Sequence, residues 1–282
     1  MNDITSLESS AVNRFRSMHD AGCFVLPNPW DVGTAIYLQH LGFAALATTS
    51  AGFAFSRGLP DIVTAIMLDE MLAHIREVVE ATPLPVNADF QTGYADEPEG
   101  VATNVALCVA TGVAGLSVED NTGNQAAPLY EFGLAVDRIK AARAAIDASG
   151  IPVVLTARCE AWLVGHPDPL RVSLERLVAY SEAGADCLYA PRVEKLDEIA
   201  AIVKAVSPKP VNVLVTRPSQ ELTVSRLADL GVRRISVGST LARVAWAAFI
   251  RSAQSIRETG SFDSFADAAP FKELDDVFTN RM

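Results

Sequence analysis

Cysteine and histidine are scarce in this sequence, with four of each in 282 residues. Cys23, Cys108, Cys159 and Cys187 form no CxxC pair, so neither a disulfide framework nor a cysteine-ligated zinc is expected. The thiols read as reduced packing groups. Runs of Lys or Arg are missing, and 23 basic residues face 34 acidic ones for a formal charge of -11. That balance argues against nucleic acid or an anionic membrane as a partner. It leaves an acidic small molecule open, because a buried arginine outweighs a screened surface charge. No apolar run reaches the ~20 residues needed to span a bilayer. The segment MNDITSLESS lacks the basic-then-apolar order of a secretory leader, so a cytoplasmic location is expected.

What is present is a rhythm. Eight near-continuous apolar runs, at 23–29, 43–50, 85–90, 113–120, 152–159, 186–192, 210–215 and 233–239, read as parallel strands covered on both faces. Helical spacing fills 31–42, 64–82, 99–112, 134–150, 169–184, 195–207 and 223–231. Gly42, Gly112, Gly150, Gly184 and Gly231 stand where helices stop before the next strand. Eight such βα repeats predict an α/β fold, a (β/α)8 TIM barrel, as a single domain over 1–282. A doubly wound open sheet is the alternative. Its Gly-rich first turn is absent, since NPWDVGTA holds one glycine. The stretches 241–260 and 264–278 add more helix than one closing unit needs. A C-terminal helical extension from about 241 is therefore expected, with Trp246 and Phe249 packed on something, such as a second subunit.

In such a barrel the chemistry stands at the C-terminal strand ends. Polar residues cluster there. Asn87 and Asp89 share a face by strand alternation, and Glu119 arrives from the neighbouring strand. With Asp61 from a loop they suggest an oxygen-ligand site for Mg2+ or Mn2+; no His or Cys accompanies them, which argues against zinc. Arg158 on the following strand could take a substrate carboxylate, or could simply pair with Glu119. Trp30, Ser50, Ala51, Gly52, Asn212 and Ser239 lie where a substrate would be touched. Several have plainer readings: Trp30 as core, Asn212 bonded to backbone and Ser239 as a helix cap. Asp31 reads better as an N-cap than as a catalyst. His19, His40 and His74 read as packing or surface residues, and Cys159 as pointing toward the helices. His166, in GHPDP, faces the active mouth and its role stays open.

TTSAG (48–52), RGLPD (57–61), NADFQTGYAD (87–96), GVAGLSVED (112–120), LTARCEAW (155–162), EAGADCLYAP (182–191), KPVNVL (209–214) and LGVRRISVGSTLAR (230–243) occur in an order that resembles the isocitrate lyase/phosphoenolpyruvate mutase superfamily. The resemblance covers nearly the whole barrel. It implies a barrel whose last helix is exchanged within a homodimer or homotetramer. It also implies cleavage or formation of a C–C or P–C bond beside a small 2-oxo carboxylate, with Mg2+ stabilising a pyruvate enolate. On that basis Asp61, Asp89 and Glu119 become ligands of the metal or its waters. Arg158 grips the substrate, and the backbone of Ser50, Ala51 and Gly52 contacts its oxygens.

Two departures shape the expectation. Asn87 stands where the first acid of the D-x-[DE] motif is expected, which weakens a metal at that position. The loop after strand four, NTGNQAAPLYEF (121–132), has none of the Lys, Cys and His of the isocitrate and methylisocitrate lyase lid. Those two activities are therefore not expected. Asn121, Thr122 and Asn124 partly match the lid of the mutase and phosphonopyruvate hydrolase branch, with Thr122 and Asn124 its catalytic candidates, although its Lys-Thr-Asn order is missing. The expected function is a Mg-dependent lyase cleaving a C–C bond of a small 2-oxo or hydroxy diacid, by decarboxylation or a retro-aldol step. A P–C mutase or hydrolase is the second reading. A non-catalytic barrel, or one holding a phosphorylated metabolite near Gly238 and Ser239, is the third.

Overall fold

The computed structural model describes residues 11–279. Its strands are β1 (Phe24–Leu26), β2 (Leu46–Ala47), β3 (Val86–Asp89), β4 (Gly115–Glu119), β5 (Val154–Arg158), β6 (Cys187–Tyr189), β7 (Val211–Leu214) and β8 (Arg234–Ser236). Each falls inside one of the eight apolar runs. All are parallel, in the order β1-β8-β7-β6-β5-β4-β3-β2. The remaining seam, between β1 and β2, carries no ladder. It is bridged by the Ala47 N–H on the Pro27 carbonyl at 3.0 Å and by the Asn28 Nδ2 on the Thr48 carbonyl at 2.9 Å. Asn28 Oδ1 also accepts from the N–H groups of Val237 and Gly238, at 3.0 and 2.8 Å, so one side chain ties β1, β2 and the end of β8. The result is the (β/α)8 barrel expected from the repeats.

Helical residues 11–18 (α1) precede β1 and plug the base of the barrel, where Phe15 packs with Leu26, Ala114 and Val154. The outer layer is α2 (Val32–His40), α3 (Ser50–Ser56), α4 (Leu68–Glu80), α5 (Pro98–Val109), α6 (Phe132–Ser149), α7 (Pro169–Glu182), α8 (Leu196–Val206) and α9 (Val224–Asp229). Asp31 caps α2 in a reciprocal box with Thr34, as its sequence position suggests. Helix α3 is the unexpected element. It lies outside the stretches with helical spacing, and Thr49 caps it through the Gly52 N–H and so starts a helix at the rim. Gly112 and Gly184 end their helices at φ +90° and +103°, conformations that the Cβ of any other residue would oppose.

After β8 the chain forms α10 (Thr240–Thr259), a 3-10 turn (Asp263–Asp267) and α11 (Phe271–Thr279). Pro270 separates the last two, so the stretch read as one helix over 264–278 is two elements. Helix α11 folds back on α2, with Tyr37 bonded to Glu273. Helix α10 buries only Ala242. Among the described residues no helix is long and apolar enough to cross a membrane.

A barrel interior is ordinarily layered with branched apolar side chains. Here the layer beneath the rim is polar. Arg234, almost wholly buried, donates to Asn212 Oδ1 at 2.9 Å and to Thr156 Oγ1 at 2.9 Å, and Asn212 donates to Ser236 Oγ at 2.9 Å. Asn87 and Ser117 line the same space.

Candidate active site

The rim is organised by one guanidinium. Arg158, at the end of β5, places Nη1 on Asp89 Oδ1 at 2.7 Å, Nη2 on Glu119 Oε2 at 3.0 Å and Nε on Glu160 Oε1 at 2.8 Å. Alternation on three adjacent strand ends brings these groups together, and Tyr189 of β6 lies 5.1 Å from the guanidinium carbon. Burial works against the Arg158 charge, but the three carboxylates outweigh it and hold its pKa well above the usual value. Burial pushes the Glu119 carboxyl up, to about 8, against the pull of Arg158. Asp61 is also raised, by burial and then by Asp89. The second oxygen of Asp89 accepts from the Ser50 N–H at 2.9 Å and the Ser50 hydroxyl at 2.8 Å.

Glu160 is fully buried and is itself positioned. Its N–H donates to Asp120 Oδ1 at 2.8 Å, and Asp120 is held from outside the barrel by Arg176 at 3.0 Å and Tyr180 at 2.7 Å, both of α7. Asp120 therefore faces the helices, while Glu119 faces the mouth. Cys159 also faces the helices, accepting from Ser173 of α7 at 3.4 Å, as alternation predicts.

Two adjoining cavities meet at Ser50, Asp61 and Arg158. The inner one, of about 350 Å³, is lined by Asp89 and Ala51, by Asn87, Asn212 and Arg234, and by Arg192, Ser239 and Arg243 from the segments after β6 and β8. The outer one, of about 680 Å³, lies between the 59–67 loop and the 121–129 loop and is lined by Glu119, Gln91, Thr122 and Asn124. Thr122 and Asn124 are tied into their own loop: the Thr122 hydroxyl donates to the Ala127 carbonyl at 2.6 Å, and Asn124 Oδ1 accepts from the Ala126 N–H at 3.0 Å.

The expected residues thus separate. Arg158 bonds Asp89 and Glu119 directly, Ser50 bonds Asp89, and Asp61 borders both cavities. Asn212 sits on the floor, bonded to side chains rather than backbone. Ser239 lines the inner cavity and its side chain makes no cap bond to α10. Trp30 lies away from both cavities, in a surface groove beside Trp246 and Phe249. Gly52 spends its N–H on Thr49 Oγ1 at 3.2 Å, and Ser50 spends its own on Asp89. Among the described residues the Ala51 N–H, in the first turn of α3, has no side-chain acceptor, unlike those of Ser50 and Gly52. His166 Nδ1 accepts from the Asp168 N–H at 3.1 Å, within its own turn.

Asn87 is deeper than the acids. Its Nδ2 donates to the Ala88 carbonyl at 3.1 Å, and its buried Oδ1 has no partner. Gln91, overlooked in the sequence, is better placed beside them. It is buried with φ +48°, its carbonyl accepts from the Glu119 N–H at 2.9 Å, and its Oε1 is unpartnered at the wall of the outer cavity. The bend carrying it is fixed from behind by Arg138 of α6, which donates to the carbonyls of Thr92, Ala95 and Asp96. A two-residue step from Asp89 would have found Gln91, and the same step from Arg158 would have found Glu160. Among the described residues no three His, Cys, Asp or Glu side chains converge on a single ion position.

The profile of the family described as phosphoenolpyruvate phosphomutase matches residues 15–257. A crystal structure from Burkholderia cenocepacia J2315 is 46% identical, covers 97% of both chains and superposes with a TM-score of 0.92. Oxaloacetate acetylhydrolase, solved with its product oxalate, is 27% identical over 95% of this chain and 94% of its own, with a TM-score of 0.84. The 2-methylisocitrate lyase of Salmonella typhimurium is 34% identical over 172 residues, 57% of this chain and 55% of that one. The fold, the rim and the profile agree, and the chain belongs to the phosphoenolpyruvate phosphomutase family, within the isocitrate lyase/phosphoenolpyruvate mutase superfamily.

Proposed function

We propose that this chain is a divalent-cation-dependent lyase that breaks a C–C bond of a small 2-oxo or 2-hydroxy diacid and leaves an enolate fragment that is then protonated. The observation that carries the reading is the Arg158 cluster facing an oxygen-lined cavity. Three carboxylates on one guanidinium, with Asp61 beside them, leave the rim net acidic, which suits a divalent cation that would take up developing enolate charge. Relatives named as lyases and as an oxaloacetate acetylhydrolase support C–C chemistry. The loop at 121–129 has no titratable side chain, so reactions that need a protein acid there fit less well than decarboxylation, which asks only for an electron sink and a proton return.

A hard cation fits this rim if it keeps its own waters. Asp89, Glu119 and Asp61 surround the space without converging, and the free oxygen of Gln91 is an acceptor suited to such a water. Those four residues would hold Mg2+ or Mn2+, which would supply Lewis-acid stabilisation of the enolate oxygen. Ser50 fixes Asp89, and Arg158 spaces Asp89 from Glu119. We also read α10 as a contact between copies in a homo-oligomer.

The test is a screen of 2-oxo and 2-hydroxy diacids, with phosphonopyruvate and phosphoenolpyruvate alongside, following fragment release with and without Mg2+. Parallel melting curves would include oxalate. Turnover of a diacid and metal-dependent stabilisation by oxalate are expected. Turnover of the phosphorus compounds alone would establish the P–C reading instead.

A further inference from the structure

A lyase that leaves an enolate needs a donor for the proton that follows. Asp89 and Glu119 are ion-paired to Arg158, Asp61 lies with them where a cation would sit, and guanidinium groups do not release their protons. Among the described residues Tyr189, at the end of β6, is the one phenol lining either cavity. It is buried, and its ring lies 5.1 Å from the Arg158 guanidinium carbon. Register sets it in a row. Arg158 of β5 pairs with Tyr189, Tyr189 with Asn212 of β7, and Asn212 with Arg234 of β8, and all four line the inner cavity.

The hydrogen bonds along this row run in one direction. Arg234 can only donate, so the Asn212 oxygen accepts from it at 2.9 Å, and the Asn212 amide nitrogen then donates to Ser236 Oγ, also at 2.9 Å. Ser236, having accepted, turns its own proton to the Tyr189 oxygen, a contact that favours the phenolate. Among the described residues no protein acceptor is left for the phenol's own proton, which is free for the cavity. Burial above all, joined by Glu160 and Asp89, pushes the phenol pKa up against Arg158 and Ser236. At neutral pH the group is therefore a proton donor and not a base.

We propose that Tyr189 returns the proton to the enolate carbon, and that Ser236, Asn212 and Arg234 are the chain that holds and polarises its oxygen. This rests on the lyase reading above, whose enolate must be protonated. In the step, the C=C electron pair of the enolate forms the new C–H bond and the phenol O–H bond breaks. Its electron pair stays on the phenolate oxygen, which Ser236 stabilises until a proton from solvent replaces the one given.

The test follows hydrogen exchange at C3 of pyruvate and of 2-oxobutyrate in D2O with Mg2+, by proton NMR, which reads the same proton transfer in both directions. Oxalate calorimetry reports separately on binding of an enolate mimic. Wild type is expected to exchange the C3 hydrogens. Tyr189→Phe should slow exchange by about 100-fold or more while oxalate affinity stays within about twofold. Ser236→Ala, which removes one hydrogen bond from the phenol oxygen, should slow it by about 3- to 10-fold. Exchange at the wild-type rate in Tyr189→Phe would assign the proton to another group and overturn the proposal. An equal loss of oxalate binding would overturn it too, by making the phenol a binding contact. An unchanged rate in Ser236→Ala would overturn the chain. Wild type that binds oxalate but exchanges neither oxo acid would remove the donor and leave the lyase reading intact. Wild type that ignores oxalate would remove the parent reading and the donor with it.

Discussion

Asn87 and Gln91 are both neutral amides within two residues of Asp89, and their surroundings separate their roles. The unpartnered oxygen of Gln91 borders the space shared with Glu119 and Asp61, whereas Asn87 lies on the floor with Asn212 and Arg234. Gln91→Glu should tighten Mg2+ binding, by about tenfold, because it adds a carboxylate to the oxygen-lined wall. Asn87→Asp should leave the affinity nearly unchanged. Metal titration by calorimetry distinguishes them, and the reverse order would place the cation deeper in the barrel. Sequence alternation correctly paired Asn87 with Asp89 on one face, but depth along the barrel axis is a tertiary quantity.

Two buried histidines make a separate expectation. Burial and then Arg234 hold the pKa of His19 down, to about 3, and burial holds that of His74 down, to about 4. Both are neutral in the folded protein, while the unfolded chain titrates near 6.5. Below that pH the unfolded state takes up protons that the native state refuses, so stability falls as the pH drops from 6.5 toward 4. At pH 5 the loss is up to about 2 kcal/mol for each histidine. His74→Phe keeps the stack on Phe53, whose ring centre is 3.8 Å away, and should reduce the drop in urea midpoint between about pH 7 and pH 5. An unchanged drop would assign it to other groups.

At the scale of elements, α10 stands apart. A 20-residue helix that buries one residue has little packing to hold it in water. It nevertheless presents Val244, Trp246, Phe249 and Ile250 on its surface, beside apolar grooves formed with Phe55, Leu59 and Trp30. We expect light scattering to give a multiple of the chain mass. Phe249→Glu with Val244→Glu should shift it toward the monomer, and a wild-type monomer would rule out this contact. The surplus of C-terminal helix, and the need of Trp246 and Phe249 for a surface to pack on, were legible in the sequence, whereas which apolar grooves α10 would form with Phe55, Leu59 and Trp30 was not. Helix α3 shows the opposite limit: SAGFAFS has little helical character alone, and its Thr49 cap and position against α10 specify it.

Across the whole molecule, closure of the barrel depends on a narrow seam. Asn28 is buried and holds backbone groups of Thr48, Val237 and Gly238 at once. Asn28→Ala would leave three polar backbone groups without that partner, and should cost roughly 3 kcal/mol in urea unfolding. A change below about 1 kcal/mol would mean that water replaces the side chain.

The sequence by itself determined the repeat. Apolar runs long enough for one strand, helices between them and glycines able to adopt positive φ leave few folds other than a parallel barrel. Alternation within a strand also put Asp89, Glu119 and Arg158 at the mouth, because side-chain direction is a local property. Tertiary structure decided what those groups do to one another. That Arg158 is spent on three carboxylates, that Trp30 lies outside the cavities, and that Arg192 and Arg243 face the inner one, all depend on how eight strands close. Register and barrel depth bring residues far apart in the chain to within bonding distance, and no local preference encodes them.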